Sequence, residues 1–191
     1  MRILLIDNYD SFTYNLVQLL KGLCTISDSL CIAKNDELTD ELADKADAVI
    51  VSPGPGLPEE AGGLMDFLRR HMHTKPILGI CLGHQALALC CGAQLVNLPK
   101  VFHGVESTIS IKEQSGLFSN LPAHIQVGRY HSWCVSRDAF PVELRITAED
   151  NNGYIMAFSH RQYNVHGVQF HPESFLTPHG RHMVSNFLAN Q

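Results

Sequence analysis

Two segments of the chain carry residue types whose spacing could support nucleophilic catalysis, and the first has a cysteine between two glycines. It reads "GICLG" over residues 79–83 and separates a short apolar run from a helix-forming stretch. A G-x-nucleophile-x-G string is typical of a nucleophile elbow, a strand-to-helix turn too sharp for side chains at the glycines. The dipole of a following helix also favours the thiolate. We therefore predict Cys81 as a nucleophile and the amide of Leu82 as an oxyanion donor. The alternative is a cysteine buried as a small apolar side chain.

The second segment holds a histidine and a glutamate two residues apart, in "VQFHPESF" at residues 168–175. At the end of a strand, His171 and Glu173 would project from the same face. The carboxylate can hold one imidazole nitrogen and fix the tautomer, which leaves the other nitrogen to take the proton of a thiol. The pattern predicts a triad of Cys81, His171 and Glu173. A solvated strand end is the alternative explanation of the His-x-Glu pair.

A loop rich in proline and glycine, "SPGPGLPEEAG" at residues 52–62, follows a strand that we expect to neighbour the one bearing Cys81. Loops at the carboxyl edge of a parallel sheet face a shared crevice. Gly54 and Gly56 allow the backbone to approach a ligand closely, and the prolines stiffen the loop beforehand. We expect this loop to supply a second oxyanion amide and to bind the substrate. The alternative is a tight loop with a purely structural role, which would have the same sequence pattern.

The elements that must position these segments alternate between strand and helix in the first half of the chain. Apolar runs at residues 2–7, 47–52 and 75–80 predict buried strands, and 24–36 suggests an edge strand. Because such strands are apolar throughout, they predict a mostly parallel central sheet with helices on both faces, an α/β fold. Ser11 and Thr39 are predicted to cap the first two helices.

The pattern changes after residue 92, where short strands are joined by turn residues. Separate strands are expected at 93–98 and 106–111, and a hairpin is expected around Arg161 and Gln162. These segments predict a C-terminal set of antiparallel strands, closed by a helix over 178–191. With no linker or repeat in 191 residues, the chain reads as one domain over residues 1–191.

Composition excludes several classes of function. The net charge is −5 and no long lysine or arginine cluster occurs, which argues against a nucleic-acid surface. No apolar stretch is long enough for a secretory signal or a membrane span, so a cytoplasmic protein is expected. Its cysteines should then be reduced thiols, and Cys90 and Cys91 are expected to be buried side chains that only fill space in the core. We expect no metal site and no cofactor on this chain.

The same segments, taken in order, resemble the class I, triad-type, glutamine amidotransferases, and in particular the small glutaminase subunits that serve anthranilate synthase and aminodeoxychorismate synthase. The resemblance covers nearly the whole chain and implies a flavodoxin-like fold. It is carried by the following strings: "LLIDNYDSFTYNL", "VSPGPGLPEEAG", "PILGICLGHQA", "HG" at 103–104, "RYHS" at 129–132 and "GVQFHPES".

The resemblance implies that the triad hydrolyses L-glutamine and delivers ammonia to a chorismate-binding synthase subunit, component I of either enzyme. It places the oxyanion hole at the amides of Gly54 and Leu82. The residues implied to hold glutamine are Gly54, Pro55, Gly56, Gln85, Ser132 and Trp133. It also implies that the "DNYDSF" loop at residues 7–12, which contains Ser11, and the loop of His103 and Gly104 lie near the site or the partner interface.

Two departures from the family pattern and two rival functions stay open at this point. Relatives commonly have a lysine where this chain has Val105, and an aliphatic residue where it has Trp133. A non-catalytic interaction subunit would keep the fold without needing the triad. A γ-glutamyl hydrolase would use the same three residues on a different substrate.

Overall fold

The backbone alternates strands with helices up to about residue 90 and is then built mainly of strands. The computed structural model describes residues 1–190. The strands are β1 (Arg2–Asp7), β2 (Ser29–Lys34), β3 (Ala48–Val51), β4 (Ile77–Ile80), β5 (Leu95–Ile111), β6 (His124–Val135), β7 (Leu144–Asp150), β8 (Ile155–His160) and β9 (Val165–Val168). The helices are α1 (Thr13–Leu23), α2 (Asp40–Lys45), α3 (Leu64–His71), α4 (Leu82–Cys90) and α5 (Gly180–Ala189).

All nine strands form one sheet, in the order β2-β1-β3-β4-β9-β8-β7-β5-β6. The five strands from β2 to β9 are parallel, and every pairing from β9 onward is antiparallel. The predicted mixed sheet is therefore confirmed, with β2 at an edge and the hairpin of β8 and β9 as expected. The last strand in sequence, β9, joins the parallel half to the antiparallel half.

Helices cover both faces of the parallel half, as predicted. Helices α1 and α5 pack on one face through side chains such as Leu16, Leu20 and Phe187. Helices α3 and α4 pack on the other face through Phe67, Leu87 and their neighbours. Strands β3 and β4 are buried along their whole length between these two layers. Each fully buried side chain of this kind contributes about 1.5–3 kcal/mol, so the strands that carry the functional loops are rigidly held.

Of the two N-terminal helix caps predicted from the sequence, one is confirmed and one is wrong. The side chain of Thr39 accepts a hydrogen bond from the amide of Leu42 and caps α2, as predicted. The cap predicted at Ser11 is wrong, because α1 begins after Phe12 and has no side-chain cap. The preceding turn is instead held by Asp10, whose Oδ1 accepts from the amide of Phe12 at 2.7 Å.

The two strands expected between residues 93 and 111 are a single strand, β5. Its pairing with β6 shifts register between Asn97 and Phe102 and again between His103 and Val105. Pro99 lies in the first irregularity, where its missing amide breaks no ladder hydrogen bond. The long partner β6 therefore keeps β5 continuous across a segment that looks like a turn in sequence. The helix expected to reach residue 191 ends at Ala189, and Gln191 lies outside the described residues.

Among residues 1–190, no helix has both the length and the apolar character that a membrane crossing requires.

Candidate active site

Cys81 occupies the turn between β4 and α4 in a backbone conformation that is rare for a side-chain-bearing residue. Its φ is 52° and its ψ is −100°, while its amide donates to the carbonyl of Val168 on β9 at 2.8 Å. Strain of this kind persists only where the surroundings over-determine the backbone, and it occurs mainly at functional sites. The side chain is 6% exposed, so the sulfur lies at the base of a crevice rather than on the surface.

The two glycines of the turn are required by separate contacts. A Cβ added to Gly79 would lie 2.4 Å from the carbonyl oxygen of Gly83, inside the turn itself. A Cβ added to Gly83 would lie 2.8 Å from Cβ of Val51 on the neighbouring strand β3. Both distances are shorter than any ordinary van der Waals contact. The glycine spacing of "GICLG" thus follows from close packing of α4 on the sheet.

We expect Gly79→Ala to lower the free energy of unfolding by about 3 kcal/mol, because the new methyl group overlaps backbone atoms that cannot move independently. The matched control is Gly92→Ala, where a Cβ meets no atom within 4 Å although φ is +87°. The control should lose only about 1 kcal/mol, from backbone strain alone. Urea unfolding of the two variants measures both values, and equal losses would contradict the packing argument.

His171 and Glu173 lie in the loop after β9, because that strand ends at Val168, earlier than expected. Their side chains nevertheless meet, with Nδ1 of His171 at 2.6 Å from Oε1 of Glu173. The histidine and glutamate side chains are 2% and 0% exposed. The loop is fixed by Thr177, whose hydroxyl donates to the carbonyl of His171 at 2.7 Å and accepts from the amide of Gly128 at 2.9 Å.

Two aromatic side chains, to which the sequence analysis gave no role of their own, pack on the imidazole. The ring of Phe12 lies 5.3 Å from the ring of His171, and the ring of Tyr130 lies 4.8 Å from it. The two aromatic rings also contact each other, with centroids 4.7 Å apart. Their contacts with His171 restrict the orientation of the imidazole ring. Nothing in the local sequence signals this contact, because one residue immediately precedes α1 and the other lies on β6.

The charge state of His171 is set by opposing effects. Burial lowers its pKa, but the interactions with the Cys81 sulfur and the Glu173 carboxylate outweigh burial and raise the pKa to about 10. Its Nε2 is buried and makes no well-aligned hydrogen bond within the described residues. Catalytic hydrogen bonds are often poorly aligned before substrate binds. A protonated imidazole beside a sulfur favours a thiolate–imidazolium pair.

A cavity of about 200 Å³ opens above the sulfur. It is bounded by the proline-glycine loop, the first turn of α4 and the middle of β6. Every residue expected to hold glutamine lines it, and these roles stay predictions. The lining residues are Gly54, Pro55, Gly56, Cys81, Leu82, Gln85, Tyr130, His131, Ser132 and Trp133.

The loop that carries Gly54 is held by Asn8, a residue of the "DNYDSF" loop to which the sequence analysis gave no role of its own. A Cβ on Gly54 would lie 2.6 Å from Cβ of Asn8, so only glycine allows this approach. Asn8 is 2% exposed, and its Nδ2 donates to the carbonyl of Ser52 at 2.8 Å while its Oδ1 accepts from Nδ2 of Asn35 at 3.1 Å. A polar side chain directly after a buried strand was the available signal.

A buried ion pair supports the opposite wall of the cavity. Nη1 of Arg129 lies 2.7 Å from Oδ2 of Asp150, and the two side chains are 1% and 3% exposed. Nε of Arg129 donates to Nε2 of His131 at 3.1 Å, so this histidine must carry its proton on Nδ1. That proton is donated to the carbonyl of Trp133 at 2.8 Å. Burial and the Arg129 charge lower the pKa of His131 to about 3, which keeps this tautomer neutral.

The residues expected at a partner interface lie on the rim. Ser11 and the segment of His103 and Gly104 are exposed. The ring of His103 lies 5.7 Å from that of Tyr130, which also contacts Phe12, the neighbour of Ser11. The two rim segments therefore flank the same aromatic side chain beside His171.

The remaining cysteines of α4 differ from Cys81. Cys90 and Cys91 are half-buried and pack against the core on the α3 side of the sheet. Burial raises the pKa of Cys90 to about 11 and that of Cys91 to about 12, so both stay as thiols. Across the described range 1–190, no group of three or more histidine, cysteine, aspartate or glutamate side chains is arranged to hold a metal ion.

Comparisons with known proteins agree with this geometry. The family model "Glutamine amidotransferase class-I" matches residues 4–191. The chain is 44% identical to aminodeoxychorismate synthase component 2 of Escherichia coli K12, over 97% of this chain and 98% of the relative. It is 42% identical to anthranilate synthase component 2 of Cyanophora paradoxa, over 97% of each.

A solved structure shares the whole architecture. It is a Thermoplasma acidophilum protein provisionally described as part of a GMP synthase, with a TM-score of 0.88 and 27% identity over 99% of this chain and 92% of that one. The family match and the relatives each span nearly the full chain, so the protein belongs to the class I glutamine amidotransferase family.

Proposed function

We propose that this chain is the glutaminase subunit of a chorismate-aminating synthase and that Cys81, His171 and Glu173 hydrolyse L-glutamine. The proposal rests on the way in which residues far apart in the sequence come together in the folded chain. A strained elbow cysteine lines the cavity, and a buried His–Glu pair from a distant part of the sequence interacts with that cysteine. The family supports glutamine as the substrate, and the names of the relatives support the pathway.

In the proposed reaction, the Cys81 thiolate attacks the side-chain amide carbon of glutamine. The amides of Gly54 and Leu82 hold the resulting oxyanion, and each donor of this kind can matter by about 10²–10³ in rate. The tetrahedral intermediate collapses as His171 protonates the leaving nitrogen, which yields ammonia and a glutamyl thioester. His171 then takes a proton from water, which attacks the thioester and releases glutamate and the free thiol.

Glu173 acts through His171 by accepting from its Nδ1 and stabilising the imidazolium. Gln85 and the backbone of Ser132 and Trp133 would hold the amino-acid end of the substrate. Both lone pairs of the Trp133 carbonyl are already used by His131 and by Nε2 of Gln85, at 2.8 and 2.9 Å. We therefore expect the amide of Trp133, and not its carbonyl, to be available to glutamine.

Ammonia released in this way is useful only if it reaches an acceptor before it is protonated by water. The proposed partner is component I of anthranilate synthase or of aminodeoxychorismate synthase, each of which binds chorismate. Its docking site would include the rim residues Ser11, His103 and Gly104, which flank the triad. No cofactor on this chain takes part in the proposed reaction.

The test combines the full chain with component I of each synthase in turn, together with chorismate and glutamine. We expect glutamate release to rise when one component I is added, with anthranilate or aminodeoxychorismate formed in equal amount to the glutamate. The product identifies the pathway. Absence of glutamate with the chain alone and with both partners would overturn the glutaminase proposal in favour of a non-catalytic subunit.

A further inference from the structure

The side chain of Gln169 contacts the sulfur of Cys81, although neither the motif nor the proposed triad assigns it a role. Its Nε2 lies 3.6 Å from Sγ, and the residue is fully buried in the segment between β9 and His171. The contact is to the reacting atom, at a distance normal for a hydrogen bond to sulfur.

The orientation of this amide is fixed by a chain of hydrogen bonds that starts at a backbone carbonyl. The carbonyl of Trp133 can only accept, so Gln85 must present its Nε2, at 2.9 Å. The second hydrogen of the same Nε2 is directed to Gln169, at 3.2 Å, and Gln169 must therefore present Oε1 to it. Its Nε2 is then left facing Cys81. No other assignment satisfies all three residues.

We propose that Gln169 is a positioning residue that donates a hydrogen bond to the Cys81 thiolate and holds the sulfur in line for attack. A donor aimed at sulfur favours the anion over the thiol, because hydrogen bonds to a charged acceptor are roughly twice as strong as those between neutral groups. The inference deepens the proposed glutaminase function and rests on it for its catalytic consequence.

The origin of these hydrogen bonds explains why the donor is held so firmly. The Trp133 carbonyl is itself fixed by His131, whose proton position is set by Arg129 and Asp150. The buried ion pair thus helps to hold the carbonyl that, through the side chain of Gln85, sets which atom of Gln169 meets the nucleophile. Buried side chains that fix one another through hydrogen bonds in this way are held rigidly.

Several titratable groups face the sulfur or its neighbours, and apart from Cys81 none of those described hydrogen-bonds to the side chain of Gln169. His171 interacts with Cys81 directly, and His131 lies across the cavity from it. Glu173 and Asp10 interact with His171 and affect Cys81 only through it. Burial raises the pKa of Asp10, and the charge of Glu173 adds to that rise. Any change in the pH response of Cys81 in a residue-169 variant therefore reports the lost donor.

The decisive experiment measures alkylation of Cys81 by iodoacetamide in the full-length chain, followed across pH by mass spectrometry of the peptide that contains it. Gln169→Met has nearly the same shape and no donor. We expect it to alkylate about tenfold more slowly than wild type at neutral pH and at the same rate at alkaline pH, where the thiolate forms without help. The matched control is Gln18→Met, an exposed amide on α1 that should give the wild-type profile.

Alkylation does not require glutamine, so this result is separate from the proposed function. Overlapping pH profiles for Gln169→Met and wild type would overturn the inference even if wild type hydrolyses glutamine. If Gln169→Met does not fold, Gln85→Met tests the same hydrogen-bond chain, because loss of its donor frees the Gln169 amide to turn. We expect a smaller slowing at neutral pH, and an unchanged profile in that variant would also overturn the inference.

A kinetic measurement in the synthase complex separates positioning from simple packing. Gln169→Met should lower kcat by about tenfold at neutral pH with little change in KM, and raising the pH should restore part of the rate. A loss of kcat that does not depend on pH would contradict a role on the thiolate.

Discussion

Replacing Cys81 by alanine is expected to reduce glutamine-dependent product formation by the synthase complex at least about 10⁴-fold, the scale seen when an enzyme loses its nucleophile. The reason is that no other thiol in α4 can substitute for it. Cys90 and Cys91 lie at the far end of the helix, and burial keeps them protonated. The measurement is glutamate release, together with the chorismate-derived product, from equal amounts of complex.

The same variant should retain synthesis when ammonium salts replace glutamine, because the partner then receives its nitrogen from solution. Cys90→Ala is the matched control and should keep both glutamine-dependent and ammonium-dependent activity. If Cys81→Ala kept a tenth of wild-type glutamine use, the nucleophile would have to be a different residue. If it lost both activities, the effect would be on assembly and not on glutamine chemistry.

Replacing His171 by glutamine is expected to lower glutamine hydrolysis by about 10²–10⁴-fold, the usual contribution of a positioned general acid and base. The side chain of glutamine can keep a hydrogen bond to Glu173 but cannot exchange a proton with sulfur or ammonia at neutral pH. A stopped assay of glutamate release measures the loss. His179→Gln, on a partly exposed residue at the start of α5, is the control and should behave as wild type.

Stability against pH provides a second measurement on the same variant. The folded-state pKa of His171 is raised from 6.5 to about 10, so the folded protein binds this proton more tightly than the unfolded chain does. The stabilisation is fully present below about pH 6.5 and is lost as the pH rises toward 10. Wild type should therefore lose free energy of unfolding across this window more steeply than His171→Gln. Parallel curves would contradict a net uptake of a proton at His171 on folding, as when the proton comes from the Cys81 thiol.

Much of the fold could be predicted because its signals are local. Strands apolar throughout, such as "AVIV" in β3, occur where a parallel strand is buried on both faces. The nucleophile elbow could also be predicted from a local signal, because the clash that excludes a side chain at Gly79 is with Gly83, only four residues away. The cap at Thr39 is equally local.

The errors and omissions arise where distant segments decide the outcome. β5 is one strand because β6 pairs across a stretch that contains Pro99 and looks like a loop by itself. Ser11 is not a cap because the side chain of Asp10 holds the turn before α1. Asn8, Phe12 and Gln169 could not be given roles from their own neighbours. Each acts on a residue that is adjacent only after the sheet has formed.

The position of β9 in the sheet bears on how the protein is made. Strand β4 pairs on one side with β3, but on its other side with β9, which is synthesised much later. Until then, the apolar strand Ile77–Ile80 is an open sheet edge in the nascent chain, and pairing across so long a sequence separation is slow. The amide of Cys81 also finds its acceptor, Val168, only at that step. We therefore expect a nascent or truncated chain to be prone to aggregation and unable to consume glutamine, which confines hydrolysis to molecules that have completed their fold.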